Sequence, residues 1–346
     1  MGQEGISAGR TRLAPIMTRL MSAVGFSENG GPEVLRPVEV PVPEPGPGQV
    51  QVEVAYAGVN FAEVQHRLGD FGPPGGIAIP GMEVSGRISA LGPGVVDRTV
   101  GEPVAAYLPD GGGYAGYAVA PARFAFPAGE VDLRTAGGAA LVLPTAYGIL
   151  AGAARLRPGD TVLVHAAAGG VGSVAAQIAR ALGAARVFGT VGTAEKAAYA
   201  GRFGYDAVFE RDTFAEAVRD ATAGHGVDLV LDPVGGPIRT ASLELLSPFG
   251  RVVVYGEAGR HPDLTLPIQP LWKNTRTLSG YNIGDVARRA PSTLAEHARA
   301  ALGLVAAGAV RIDITDVLPL AEAARAHERM QSGRNRGKTL LTTRLC

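Results

Sequence analysis

The chain has 346 residues, 46% of them apolar, and its 32 lysines and arginines balance its 32 aspartates and glutamates. This length suffices for two well-filled cores, while the neutral balance leaves no basic surface for nucleic acid or for an anionic membrane. The single cysteine, Cys346, excludes an intrachain disulfide framework and fits a reducing compartment. Since no apolar run is long enough to cross a bilayer and the N-terminus lacks the apolar core of a signal peptide, a cytoplasmic protein is expected.

The first twenty residues show none of the alternation that is typical of a strand. The sequence MGQEGISAGRTRLAPIMTRL, residues 1–20, is therefore predicted to be a loose extension. An upstream start, with Met17 or Met21 as the alternative initiator, explains it equally well.

Short apolar strands separated by Gly and Pro turns fill the chain up to about Pro127. Val50, Val52 and Val54 alternate with polar residues at the strand period of two, and GPPGG, LGPG and PDGGG are turn sequences. This pattern predicts a β-rich, partly closed barrel.

Strand and helix patterns alternate from about residue 136 onward. Strands are predicted over residues 161–165, 186–191, 207–209, 227–232 and 251–256, and helices over 173–182, 195–203, 214–222 and 240–246. Repeated strand–helix units of this length predict a doubly wound parallel sheet. The final stretch, a long helix and then one or two strands and a helix, is too small for a third domain and is predicted to rejoin the first.

A run of small residues joins the strand at 161–165 to the helix that follows it. Its sequence, HAAAGGVG, places Gly169, Gly170 and Gly172 on the turn. Such a turn lets backbone N–H groups approach a diphosphate at the positive end of the helix. Because Ala168 stands where the G-x-G-x-x-G fingerprint has an early glycine, the turn alone also fits plain packing of a helix on a sheet.

The end of the next strand bears on the choice between NADH and NADPH. A carboxylate about 20 residues after the glycines would bind the ribose hydroxyls of NAD, but the chain reads GTAEK over residues 192–196. A neutral residue followed by the cation of Lys196 favours a 2′-phosphate, so NADPH is the predicted cofactor. Taken alone, Lys196 is equally well a solvated helix lysine.

Seven motifs follow one another along nearly the whole chain, from about Met21 to Leu341: GVNFAEV, PGMEVSG, LPTAYGIL, HAAAGGVG, DPVGG, VVVYGEAG and GKTLL. In this order they resemble the zinc-independent quinone oxidoreductases of the medium-chain dehydrogenase/reductase superfamily. The resemblance implies an α/β fold: a groES-like, partly closed β-barrel catalytic domain (residues 21–143 and 284–346) and a doubly wound Rossmann dinucleotide-binding domain (residues 144–283). It also implies NADPH, and a quinone or α,β-unsaturated carbonyl that meets it in the cleft between the domains.

Two positions argue against a catalytic zinc. The place of the cysteine ligand of zinc alcohol dehydrogenases, in GVNFAEV, holds no thiol, and the place of the histidine in their Gly-His-Glu motif is Met82. The six histidines are scattered, and His165 at a strand end is expected to be packed or hydrogen-bonded rather than catalytic. The sequence therefore predicts no metal and an acceptor that hydride alone can reduce.

On the acceptor side the resemblance makes Asn60 a hydrogen-bond donor to the cofactor or the substrate carbonyl; by itself it is a turn residue after a strand. Gln65, the second catalytic candidate, stands where many family members have a tyrosine, which leaves the proton donor open. Glu63 beside it is either a pocket acid or half of an ion pair.

On the cofactor side the resemblance places Thr145 near the nicotinamide, and Val234, Tyr255 and Gly256 at strand ends around its ribose and carboxamide. Members of the family often have a tyrosine that contacts the adenosine phosphate, and this chain has Glu210 in its place. Arg211 is expected to take over the phosphate contact, while Glu210 would weaken it. The complete cofactor-binding set is Asn60, Thr145, Gly169, Gly170, Val171, Gly172, Thr193, Lys196, Arg211, Val234, Tyr255 and Gly256.

The resemblance also implies a homodimer, with the strand RVVVYG placed beside its copy in a second subunit. Two other functions stay open. An enoyl-thioester reductase of polyketide or fatty-acid metabolism would show a pocket lysine after that strand, where the chain reads EAGRHPD. A non-catalytic NADPH-binding sensor would bind the cofactor and reduce nothing.

Overall fold

The computed structural model describes residues 19–262 and 265–343; the predicted loose extension lies outside them except for residues 19 and 20. The strands are β1 (Leu20–Gly25), β2 (Arg36–Pro41), β3 (Gln49–Val59), β4 (Glu83–Leu91), β5 (Pro103–Tyr107), β6 (Tyr117–Pro121), β7 (Ala125–Pro127), β8 (Thr161–Val164), β9 (Arg186–Val191), β10 (Ala207–Glu210), β11 (Val227–Asp232), β12 (Leu246–Val254), β13 (Thr277–Gly280), β14 (Ile314–Pro319) and β15 (Lys338–Thr342). The helices are α1 (Phe61–Leu68), α2 (Leu133–Ala136), α3 (Val142–Tyr147), α4 (Gly170–Ala181), α5 (Ala194–Ala200), α6 (Phe214–Ala221), α7 (Gly236–Glu244), α8 (Gln269–Lys273), α9 (Ile283–Arg289), α10 (Pro291–Ala306) and α11 (Ala323–Gln331).

The first half is built on a seven-stranded sheet in the order β14-β15-β3-β4-β5-β7, with β6 also paired to β3. Val50, Val52 and Val54 of β3 are buried, as their alternation predicts. β15 runs antiparallel to β3, so the end of the chain returns to the first sheet. The predicted β-rich half is confirmed.

The second half is a six-stranded parallel sheet in the order β10-β9-β8-β11-β12-β13. Numbered from β8, this is 3-2-1-4-5-6, the strand order of the dinucleotide-binding fold. The direction of winding reverses between β8 and β11, where such sheets bind their ligand. The predicted doubly wound sheet is confirmed.

The sheet order corrects the predicted dimer contact. The strand RVVVYG belongs to β12, and β12 pairs with β11 on one side and with β13 on the other. Both of its edges are therefore hydrogen-bonded within the chain. β13 is the edge strand at this end of the sheet.

One predicted helix begins earlier than expected, and two further helical elements were not predicted. Helix α1 directly follows β3 because Asn60 and Glu63 form a capping box. Helix α7 begins at Gly236 rather than at residue 240, since a proline in its first turn leaves no N–H to satisfy. A π-helical turn, Gly148–Ala153, continues α3.

The C-terminal strand connects two hydrophobic cores. Leu340 packs into the core that α3, α4 and the nucleotide sheet share, while its neighbour Leu341 packs into the core of the first sheet. Helix α10 contacts α3 and α4, on the nucleotide side. The domain boundaries at residues 143/144 and 283/284 stay a prediction.

Candidate active site

The carboxyl ends of the parallel strands gather most of the predicted cofactor residues at one edge of the sheet. Gly169, Gly170, Val171 and Gly172 follow β8, Thr193 and Lys196 follow β9, Arg211 follows β10, Val234 follows β11, and Tyr255 and Gly256 follow β12. Thr145 does not follow a strand: it is buried in helix α3, where its hydroxyl donates to Leu141 O at 2.7 Å, and its place near the nicotinamide stays a prediction.

The glycine turn leaves no room for a side chain at Gly172. Gly169 is the N-cap of α4, and a Cβ at Gly172 would lie only 2.4 Å from the carbonyl oxygen of Ala166. The Tyr205 hydroxyl donates to Gly172 O at 2.7 Å and holds the first turn of the helix in place. The backbone N–H groups of this turn fit a diphosphate.

A cluster of three cations lies beside this turn: Lys196, Arg211 and Arg336. Burial, and then the charges of Arg211 and Arg336, lower the pKa of Lys196. The Lys196 ammonium donates to Gly333 O at 2.5 Å, and Arg336 pairs with Glu195 at 2.8 Å. Like charges held this close favour a bound anion, as a 2′-phosphate would be.

A buried ion pair joins the two halves of the site. The ammonium of Lys338 donates to Glu83 Oε1 at 2.5 Å, to Asn60 Oδ1 at 2.7 Å and to Val59 O at 3.1 Å. Both charged side chains are almost completely buried. Lys338 also fills the space beside the glycine turn, because a Cβ at Gly170 would lie 2.7 Å from its Cδ.

The amide of Asn60 lies inside this network. Its Nδ2 donates to Glu83 Oε1 at 3.0 Å and to Glu63 Oε1 at 3.3 Å. The predicted role as donor to a cofactor or substrate stays a prediction, since that contact requires the amide to release one of these carboxylates.

Glu63 lies on the far side of the network from the glycine turn. Its carboxylate accepts from the backbone N–H of Asn60 at 2.7 Å and of Met82 at 2.9 Å. Burial raises the pKa of Glu63 to about 7, against the opposing effects of these donors and of Lys338. Glu63 therefore titrates near neutrality in a water-poor place.

A cleft of about 190 Å3 opens beside Glu63. Its lining residues are Ala62, Glu63, His66, Phe71, Ile79, Pro80, Gly81, Met82, Pro109, Asp110 and Gly111. Gln65 lies on α1 but is not one of them. The structure thus brings Glu63 and Met82 to the cleft, and leaves the catalytic role of Gln65 a prediction.

His165 has the structural role that the sequence suggests. Its two ring nitrogens lie 2.7 Å from the hydroxyls of Thr190 and Ser242, and burial lowers its pKa to about 4. Both nitrogens are satisfied by the protein interior.

Sequence reasoning missed four residues of the site. Glu83, Lys338 and Arg336 lie within or next to recognised motifs, PGMEVSG and GKTLL, but their partners are far away in the sequence. Arg239 donates its Nε to Asp232 at 2.7 Å, and the same carboxylate accepts from Val234 N, which fixes the DPVGG turn.

The described part of the chain, residues 19–262 and 265–343, contains no group of three or more His, Cys, Asp or Glu side chains arranged to hold a metal. None of its helices is long and apolar enough to span a bilayer.

Comparison with known proteins matches both halves and the chain as a whole. Residues 46–130 match the alcohol dehydrogenase GroES-like domain family, and residues 170–300 match the zinc-binding dehydrogenase family. The chain is 35% identical over 337 residues to a 2-haloacrylate reductase of Burkholderia sp, which covers 93% of this chain and 98% of that protein. The structure of Escherichia coli quinone oxidoreductase complexed with NADPH has a TM-score of 0.86 at 30% identity, over 93% of this chain and 99% of that one. The phthioceranic/hydroxyphthioceranic acid synthase of Mycobacterium tuberculosis is 36% identical over 290 residues, 82% of this chain but only 13% of that protein.

Replacing Lys338 by Met is expected to destabilise the protein by about 3–5 kcal/mol, because it leaves the Glu83 carboxylate buried without its cation. The double variant with Glu83→Gln should lose less than the sum of the single changes, with a coupling of about 1–3 kcal/mol. Arg325→Met, which breaks an exposed pair with Glu322, should cost less than about 1 kcal/mol. Urea unfolding measures the free energy of unfolding of Lys338→Met, Glu83→Gln, the double variant and Arg325→Met. Equal losses for Lys338→Met and Arg325→Met would contradict a stabilising buried pair of Lys338 and Glu83.

Proposed function

Because the chain belongs to the quinone oxidoreductase-like family of the medium-chain dehydrogenase/reductase superfamily, we propose that it reduces quinones or other α,β-unsaturated carbonyls with NADPH and without a metal. The observation that carries this proposal is the position of the Lys338 network. This network, Lys338 with Glu83 and Asn60, lies between the glycine turn with its cation cluster and the cleft beside Glu63. In that cleft Met82 occupies the place of the histidine that would bind zinc.

The residues at the sheet edge fit NADPH. The glycine turn suits its diphosphate, and Lys196, Arg211 and Arg336 suit its 2′-phosphate. A Cβ at Gly192 would meet no atom within 4 Å, so the end of β9 has room for the ribose. When bound, NADPH supplies the hydride that an electron-poor carbon accepts.

The acceptor side holds hydrogen-bond and proton-holding groups close to the cleft. Reduction leaves negative charge on the acceptor oxygen, which the Asn60 amide stabilises if it turns from its carboxylate partners. Glu63 suits the proton transfer better than Gln65 does, because it lines the cleft and its carboxyl has a pKa of about 7.

Three acceptor classes follow from the relatives. Quinones and neutral enones are the first, 2-haloacrylates the second, and enoyl thioesters the third. The similarity to the synthase favours the third class, but the loop after β12 presents Arg260 rather than a lysine, and Arg260 pairs with Asp70 at 2.8 Å.

We also propose that the protein is a cytoplasmic homodimer. The edge strand β13 supports the dimer, because its outer hydrogen-bonding groups suit pairing with the same strand of a second copy. Two large apolar side chains lie close to its beginning: Phe249 is 73% exposed and Trp272 is 68% exposed. The single cysteine supports a reducing compartment.

The reductase proposal is tested by following NADPH oxidation with one acceptor of each class, before and after treatment with a chelator. We expect turnover with a quinone or enone that the chelator leaves unchanged. Loss of activity on chelation would contradict the metal-free reaction, and tight NADPH binding without turnover of any acceptor would support a sensor instead.

Lys196→Ala is expected to raise the Michaelis constant for NADPH by about one to two powers of ten, the effect of losing a charge-assisted hydrogen bond of roughly 1.5–3 kcal/mol. The constant for NADH should hardly change, since NADH has no phosphate to lose. Gly192→Asp should act in the same direction by repelling the phosphate. Lys273→Ala, on α8, is the matched control; equal weakening of both cofactors by Lys196→Ala would make Lys196 a structural residue.

Light scattering is expected to give the mass of two chains at micromolar concentration. Trp272→Asp should shift this mass toward one chain by placing a charge beside β13. The control Val96→Asp changes a 93% exposed residue between β4 and β5 and should leave the mass unchanged. A mass of one chain for the unsubstituted protein would contradict the proposed homodimer.

A further inference from the structure

The cleft beside Glu63 has two carboxyl side chains and no lysine or arginine among its lining residues. They are Glu63, which is buried, and Asp110, which is exposed. From this arrangement we infer that the site takes uncharged, flat acceptors and rejects acceptors that carry a carboxylate or a sulfonate. The inference rests on the proposed reductase function and names the acceptor class of the same site.

Two cations near the cleft are already paired with other carboxylates. The Lys338 ammonium donates to Glu83 at 2.5 Å and is almost completely buried. Arg260, on the loop after β12, pairs with Asp70 at 2.8 Å. Above the pKa of about 7 of Glu63, an anionic acceptor would meet two carboxylates, and at lower pH it would still meet Asp110, which costs Coulomb energy that a neutral acceptor avoids.

Two aromatic rings, His66 and Phe71, line the cleft, and Phe26 packs against His66. Phe26, His66 and Phe71 form a row, with ring centroids 5.2 Å and 6.1 Å apart. Burial lowers the pKa of His66, so this ring adds no positive charge at neutral pH. Phe71 is 66% exposed, which leaves its ring available to a planar apolar molecule.

The size of the cleft restricts the acceptor further. Its volume of about 190 Å3 is below the roughly 300–1,000 Å3 of sites that enclose drug-sized ligands. A one- or two-ring quinone or a short enone suits this volume. Among the three acceptor classes, the 2-haloacrylates carry the charge that the cleft disfavours.

The test uses matched neutral and anionic acceptors with saturating NADPH at pH 8. The first pair is 1,4-naphthoquinone and its 2-sulfonate, and the second is methyl 2-chloroacrylate and 2-chloroacrylate. We expect kcat/KM to favour the neutral member of each pair, by about tenfold for the quinones, although the sulfonate is the more electron-poor quinone.

Asp110→Asn separates the charge effect from intrinsic reactivity. It should raise the ratio of kcat/KM for the anionic acceptor to kcat/KM for its neutral partner by about three- to fivefold in each pair, since intrinsic reactivity cancels when this ratio is compared between the two proteins. Asp220→Asn, on the surface of α6, makes the same change in net charge outside the cleft and should alter neither ratio. Raising the salt concentration should reduce the Asp110 effect because that side chain is exposed.

The outcomes separate the inference from the proposed function. Equal kcat/KM values for the two members of each pair would overturn the inference, and so would an equal rise of kcat/KM for both members in Asp110→Asn. The reductase proposal stands in either case as long as the quinone is reduced. An Asp220→Asn effect as large as that of Asp110→Asn would also overturn it. If no acceptor of either pair is reduced, the result contradicts both the proposed function and the inference.

Discussion

The ion pair between Lys338 and Glu83 is the interaction on which the arrangement of the whole site depends. Burying both charges carries a large desolvation cost, which is offset only when every hydrogen-bonding direction is used. Lys338 meets this condition with three acceptors, and Glu83 accepts from Lys338 and Asn60 on one oxygen and from Leu141 N at 2.8 Å on the other. Since Leu141 is the N-cap of α3, one carboxylate links the first sheet, the C-terminal strand and the helix that carries Thr145.

The same ion pair explains why small residues surround it. A Cβ at Gly58 would lie 2.4 Å from Glu83 Oε1, and one at Gly170 would lie 2.7 Å from Lys338 Cδ. Gly337 N donates to Ala168 O at 2.8 Å, so the residue before Lys338 also supports the glycine turn. The glycines of the turn therefore make room for the lysine, in addition to the proposed role of their backbone N–H groups in binding a phosphate.

The sequence predicts the two sheets well because each depends on local patterns, the alternation along β3 and the strand–helix units after residue 136. It also predicts where the glycines, Thr193 and Lys196 lie, because the carboxyl ends of neighbouring parallel strands share an edge. It fails where distant segments meet. Nothing near PGMEVSG shows that Glu83 pairs with a lysine 255 positions away, and nothing in RVVVYG shows that β13 covers its free edge. The role of Asn60 is hidden for the same reason, since its partners come from α1, β4 and β15.

Charge is separated within the site although the whole chain is neutral. Three cations stand at the sheet edge, two carboxylates stand at the cleft, and the compensated pair of Lys338 and Glu83 lies between them. The pair of Lys338 and Glu83 has no net charge, so it does not shift the balance of charge on either side. It fixes the distance between the cation cluster and the cleft, because β4 and β15 cannot slide past their neighbours without breaking the pair. The cation cluster and the carboxyl groups of the cleft thus lie on opposite sides of one rigid contact. A neutral composition is compatible with this strong local polarity, which is why the net charge of the chain does not indicate the charge of its acceptor.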